Sequence, residues 1–173
     1  MKFLKLTIAS LLTSSALFAG TYNIDVSHSN VGFTVKHMMI TNVSGKFNDV
    51  AGTFEYDEKT NTLTSLSGEI IVASINTANE KRDTHLKADD IFDAEKFPKI
   101  EFKTTRIEDN AVYGDFTMKG VTKNIKLELE NGGVITDPKG NLRAGFELTG
   151  KISRKDFGIT WNKILETGGV TVG

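Results

Sequence analysis

The sequence predicts an all-β domain, an antiparallel barrel or sandwich of about eight strands with one α-helix inserted between its middle strands. Three observations carry this expectation. Apolar and polar residues alternate in short segments along most of the chain, the period of a half-buried strand. Turn signals recur at hairpin spacing, among them Asn48-Asp49, Asp57 to Asn61, Asp109-Asn110 and Asp137 to Gly140, and 16 glycines against 2 prolines suit many tight turns. One stretch, Thr77 to Pro98, lacks the alternation and reads as helix.

In chain order, Thr21 to Ser29 leads in. Val31, Phe33 and Val35 then alternate with Gly32, Thr34 and Lys36, and strands over Asn42 to Phe47 and Gly52 to Tyr56 follow. Thr62 to Ile75 reads as one long strand. Its Ile70, Ile71, Val72 and Ala73 are apolar on both faces, so cover is expected outside as well as inside.

Thr77 with Glu80 three residues later forms a capping-box signature, and a helix is expected to begin there. Ala78, Arg82 and Leu86 share one face, and Asp83 with Lys87 makes a favourable i,i+4 pair. So thin an apolar seam places the helix across an end or side of the β structure, carrying Arg82 and His85. Pro98 forces Phe97 to extended backbone and closes the helical region.

Beyond Pro98, Ile100 and Phe102 oppose Glu101 and Lys103. Val112, Gly114, Phe116 and Met118 oppose Tyr113, Asp115 and Thr117, and Ile125, Leu127 and Leu129 oppose Lys126, Glu128 and Glu130. Leu142, Ala144, Phe146, Leu148 and Ile152 oppose Arg143, Glu147, Thr149 and Lys151. Val170 and Val172 read as the start of one more strand.

A chain of 173 residues, 39% hydrophobic and 25% charged, supports one domain with a core. Residues 1–19 read as a secretory signal peptide: Lys2 and Lys5 precede a mostly apolar run from Leu6 to Leu12, and small residues follow. Cleavage after Ala19 or after Ala16 fits that pattern. The run is shorter than the roughly 18 apolar residues of a membrane span, so stable membrane insertion is not expected. A periplasmic or secreted domain over residues 20–173 is. Without Lys2 and Lys5 the chain holds 19 basic against 22 acidic residues, a charge near −3, which argues against nucleic acid or another polyanion as partner. The absence of cysteine excludes disulfides, thiolate nucleophiles and cysteine metal sites.

Catalytic signatures are lacking: there is no GxSxG elbow, Walker loop or GxGxxG. His28, His37 and His85 show no metal-ligand spacing, and His28 and His37 are held apart by the length of a strand, so no metal is expected. His28 and Ser29, adjacent on extended chain, point to opposite faces and do not make a base and nucleophile. Phe33, Phe102, Phe116 and Phe146 are core residues that also line any cavity the barrel encloses. Arg82 and Arg154 are the cations that would meet a polar head group; for each, a solvated salt bridge is the plainer assignment.

The chain resembles the YceI-like family of small bacterial secreted proteins. The resemblance rests on Tyr22, Asp25, His28, Ser29, Phe33 and His37; on Gly45, Phe47 and Gly52; and on Asn76, Thr77, Arg82, Asp83, His85 and Leu86. It continues through Phe92, Asp93, Phe97 and Pro98, the run GDFTMKGVTK from Gly114 to Lys123, and Arg154, Asp156, Phe157 and Gly158. It implies a lipocalin-like antiparallel β-barrel, usually a homodimer, holding a long isoprenoid or related amphiphile; family members bind prenyl-pyrophosphate, quinone-like and fatty-amide ligands. A final strand normally follows the GGVTVG region in this family. On this resemblance Val31, Phe33, Val35, Ile100, Phe102, Phe116, Phe146 and Leu148 are the expected wall, and Arg82, His85 and Arg154 the expected head-group contacts. No cofactor is implied. The alternatives are an enzyme acting on an isoprenoid or quinone, and a structural secreted module with a filled barrel.

Overall fold

The computed structural model describes residues 20–164 and 171–173. The expected signal peptide and Val170 lie outside the described residues. Among the described residues ten strands form: β1 (Gly20–Asn23), β2 (Val31–His37), β3 (Thr41–Phe47), β4 (Val50–Asp57), β5 (Thr62–Ile71), β6 (Ile75–Asn76), β7 (Lys99–Glu108), β8 (Ala111–Met118), β9 (Val121–Thr136) and β10 (Leu142–Thr149). A single α-helix among the described residues, α1 (Glu80–Leu86), lies between β6 and β7.

Seven strands make one antiparallel sheet in the order β1-β4-β5-β7-β8-β9-β10, and β2-β3-β6 make a second. The large sheet is strongly curled into a half-barrel, the all-β, lipocalin-like architecture expected. Its curvature has local causes. Register shifts at Glu55/Tyr56, Thr104/Arg106 and Gly145/Phe146 insert bulges, each of which bends its strand and increases twist. The small sheet packs on the concave side, where Phe47 and Ile75 meet Val50, Ile100 and Met118 of the large one.

The buried interior falls into two clusters. Near α1, Phe47, Val50, Val72, Ile75, Ile91, Ile100, Met118, Phe157 and Ile159 pack together. At the far end, Phe54, Tyr56, Leu63, Leu66, Val112 and Leu129 do so, with Tyr56, Leu63 and Val112 fully buried.

Two expectations are corrected. The strand expected over Thr62 to Ile75 is broken by a 3₁₀ turn at Val72–Ser74, and the chain changes sheets there. The Ser74 hydroxyl donates to the Ile71 carbonyl (2.7 Å) and accepts from the Asp49 amide (3.0 Å), which holds the turn. Apolar residues occupy both faces of this segment because it passes between layers, and Val72 is buried there.

The helix, expected over Thr77 to Phe97, is confined to Glu80–Leu86. Thr77 does not cap it. Its amide and hydroxyl both donate to Asp83 Oδ1 (2.9 and 2.5 Å), and Ala78 takes a left-handed φ of 58° that no helix continues through. Asn79 is the cap instead, its side-chain oxygen accepting from the Arg82 amide at 2.9 Å. Turns carry the chain from Lys87 to Phe97 and insert Ile91 and Phe92 into the helix-end cluster. The helix itself buries no residue fully, in keeping with its thin apolar seam.

Candidate functional site

The period-2 alternation that forms the large sheet puts its apolar residues on the concave face, opposite β2 and β3. Of the eight expected wall residues, seven (Val31, Phe33, Val35, Phe102, Phe116, Phe146 and Leu148) are half-buried, and Ile100 alone is buried, at 3% exposure.

The structure divides these residues. Val31, Phe33, Ile100 and Phe116 belong to the helix-end packing, and Phe102, Phe146 and Leu148 to the far end. Phe102 and Phe116 are register partners on β7 and β8 and mark the boundary between the two. Val35 pairs with Val43 on β3, outside both clusters. Two glycines make room for the rings. A Cβ at Gly45 would stand 2.5 Å from the Phe33 ring, and one at Gly114 would overlap the Phe102 ring.

Aromatic contacts extend the surface with residues that alternation alone did not single out. Phe47 lies 5.7 Å from Phe33 and 6.3 Å from Phe92, Phe157 stands edge-on to Phe116 at 5.4 Å, and Phe54 does the same to Phe146 at 5.1 Å. The lone tryptophan, Trp161, packs against His85 with ring centroids 5.0 Å apart. Its being the only tryptophan of the chain was the available signal; its position in an irregular segment hid the partner.

The three expected head-group residues have different surroundings. Arg82 is positioned by α1, and its Nε and Nη2 donate to the hydroxyl (2.7 Å) and carbonyl (2.8 Å) of Thr77. His85 is exposed, with Nε2 3.1 Å from Asp90 Oδ2. Arg154 binds its own backbone: it donates to the carbonyls of Ile159 (2.8 Å), Trp161 (2.9 Å), Val172 (3.0 Å) and Gly173 (3.0 Å). Burial lowers its pKa from the usual arginine value. Arg154 gathers the strip that runs from the end of β10 to the edge of β2, where Val172 bridges His37.

Polar groups fasten the far end. The Tyr56 hydroxyl lies within hydrogen-bond reach of the side-chain oxygens of Asn61 (3.0 Å) and Asn131, and Asn131 donates back to the Asn61 carbonyl. Arg143 on β10 bonds Asp25 (3.2 Å) and Asp137 (3.0 Å), linking opposite edges of the large sheet. Hydrogen bonds from His28 and the Ser27 amide hold the Asp25 carboxyl below its ordinary value. The amide and side chain of Asn141, with Arg143, pull Asp137 down to about 2.

Two grooves of about 330 and 310 Å³ lie on the outer face. Glu128, Glu130 and Glu147 line one, and Glu69, Glu101 and Asp115 the other, so neither suits an apolar chain. Among the described residues no cluster of three or more His, Asp or Glu could hold a metal, and no helix is long and apolar enough to cross a membrane.

Known proteins resemble this chain in sequence and in fold. A UPF0312 protein of Staphylococcus aureus is 39% identical over 153 residues, 88% of this chain and 90% of its own. The crystal structure of a Campylobacter jejuni YceI protein, 39% identical, superposes with a TM-score of 0.67 over 79% of this chain and 83% of its own. A polyisoprenoid binding domain from Saccharophagus degradans, 14% identical, shares the fold at a TM-score of 0.52 over 67% of this chain and 69% of its own. The YceI-like domain family matches residues 22–173, and with the curled sheet, the single helix and the half-buried aromatic lining in place, the chain belongs to that family.

Proposed function

We propose that this protein is an exported, non-catalytic carrier that holds the apolar chain of a long amphiphile, an isoprenoid, quinone-like molecule or fatty-acid derivative, against the concave face of its half-barrel. One observation carries this reading: of the eight apolar wall residues, seven are half-buried, Phe102, Phe116, Phe146 and Leu148 on the curled sheet and Val31, Phe33 and Val35 on β2 of the sheet packed against it. The Saccharophagus domain, which shares the fold, is described as polyisoprenoid-binding, and this supports the same ligand class.

Tail burial would supply the affinity, at ~0.8 kcal/mol per CH₂ removed from water, so a few isoprene units suffice. Arg82 and His85 on the exposed helix are the residues we assign to the polar head. Arg82 Nη1 has no hydrogen bond among the described residues, whereas every guanidinium nitrogen of Arg154 is engaged with backbone carbonyls. Arg154 therefore acts in this reading by holding the C-terminal strip and its Trp161 against the interior. Export follows from residues 1–19, and a homodimer from the family resemblance; analytical ultracentrifugation of the purified protein tests the latter.

The direct experiment is native mass spectrometry of the protein purified from its own periplasm, with organic extraction of what it carries. One long-chain molecule per protomer is the expected result. An empty protein that also refuses added prenyl chains and fatty amides would establish a filled structural module instead. Phe116→Arg, checked for folding by circular dichroism, should abolish uptake, while Arg82→Ala should chiefly change head-group preference. Unaltered uptake by a folded Phe116→Arg protein would overturn the lining assignment.

A further inference from the structure

We propose that the tip of the β2–β3 hairpin docks onto an anionic lipid bilayer. The tip is a tight turn in which the Ile40 amide bonds the His37 carbonyl at 3.2 Å. Its central residues, Met38 and Met39, have φ of 49° and 64°. Two left-handed residues in succession define the turn for which Asn-Gly is the low-cost sequence. Methionine at both positions costs backbone energy, and the packing of the hairpin does not repay it, because these side chains face solvent. Met38, Met39 and Ile40 are 44, 60 and 83% exposed.

A second segment joins the tip. The Met38 amide bonds the Thr171 carbonyl (2.9 Å) and the Thr171 amide bonds the Lys163 carbonyl (3.0 Å). This brings Ile164, 85% exposed, onto the same protrusion.

Charge selects the partner. Between Asp25 and Asp49 the chain has no acidic residue, although its formal net charge is −1. Lys36 and Lys163 are exposed and flank the apolar tip, and Lys46 lies farther along β3. Apolar side chains flanked by lysine suit the interface of an anionic bilayer, where the chains enter the headgroup region and the ammonium groups meet lipid phosphates. A second copy of the chain fits less well. Four side chains fall far short of the ~800 Å² per partner of a stable protein interface. The docking stands on the hairpin tip and the segment bonded to it, and its use for loading cargo rests on the carrier reading: Trp161, on the strip bonded to the tip, packs beside the helix-end interior.

Sedimentation with unilamellar vesicles tests the proposal. The full mature protein should bind equimolar phosphatidylglycerol and phosphatidylcholine, bind less as salt rises, and ignore phosphatidylcholine alone. Met38→Asn with Met39→Gly installs the low-cost turn, so its melting temperature should equal or exceed that of the wild type while vesicle binding falls at least about tenfold. Lys36→Ala and Lys163→Ala should each weaken binding about fivefold at low salt. Wild-type protein that ignores phosphatidylglycerol vesicles, or a folded Asn-Gly variant that binds them undiminished, would overturn the assignment. So would a wild-type dimer that ignores vesicles and that the Asn-Gly variant dissociates. Because no cargo is needed, an empty protein would leave this result unaffected.

Discussion

Both ends of the interior hold fully buried side chains, Tyr56, Leu63 and Val112 at the far end and Val72 and Phe157 near the helix, but at the far end they sit on or beside sheet strands, and Asn61 and Asn131 tie the Tyr56 hydroxyl in place. At the other end the cover is α1, which buries none of its own residues, with a run of turns and a strip of chain gathered by Arg154. One end is closed by strand residues that the sheet itself positions. The other is closed by irregular segments held through a few hydrogen bonds, and such segments open at lower free energy than core strands.

The largest test of that contrast is Leu63→Ala. It removes a fully buried side chain from the far-end cluster and should lower unfolding free energy by ~3 kcal/mol in urea denaturation. A loss under about 1 kcal/mol would mean that this end is not the rigid one. Next is Arg154→Met, which deletes the donors to four backbone carbonyls and should cost ~2 kcal/mol. Its signature is local: amide exchange should accelerate at Thr171 and Val172 before it does at Tyr56. Uniform acceleration would erase the distinction between the ends.

Asn79→Ala removes the cap of α1 and should cost ~1 kcal/mol, again with exchange rising first in the helix. The smallest effect concerns acid. Asp137, at about 2 in the folded protein, and Asp25, also lowered, lie below their unfolded values, so both stabilise above about pH 4, and this contribution is lost as pH falls toward 2. Asp137→Asn should therefore flatten the decline in melting temperature over that interval, and a variant with an unchanged decline would show that the bonds Asp137 accepts from Asn141 and Arg143 are thermodynamically silent.

Strands were readable because alternation records a local condition, one face apolar and one polar, that each segment states for itself. Val31, Phe33 and Val35, or Ala144 to Leu148, carry that condition in their own composition, whereas Leu142 and Ile152, expected on the same apolar face, are exposed, Ile152 beyond the end of β10. The helix boundary was not readable from its capping pattern, because Thr77 has a stronger partner in Asp83 and Ala78 is held left-handed. The sheet change at Val72–Ser74 was foreshadowed by apolar residues on both faces, but a long central strand has the same composition. Arg82 and Arg154 looked alike as candidate head-group cations. Their difference is made by Ile159, Trp161, Val172 and Gly173, whose carbonyls converge only in the folded chain.

From sequence alone, then, came the all-β class, the single polar helix, the apolar residues of the concave face and the family resemblance, since each depends on residue type and short-range spacing. The tertiary structure decided which cation has every guanidinium nitrogen engaged by backbone carbonyls, which end of the interior is covered by irregular segments rather than strands, and that Met38 and Met39 stand at an exposed turn beside Ile164. Those properties are set by groups distant in the chain, and no local periodicity encodes them.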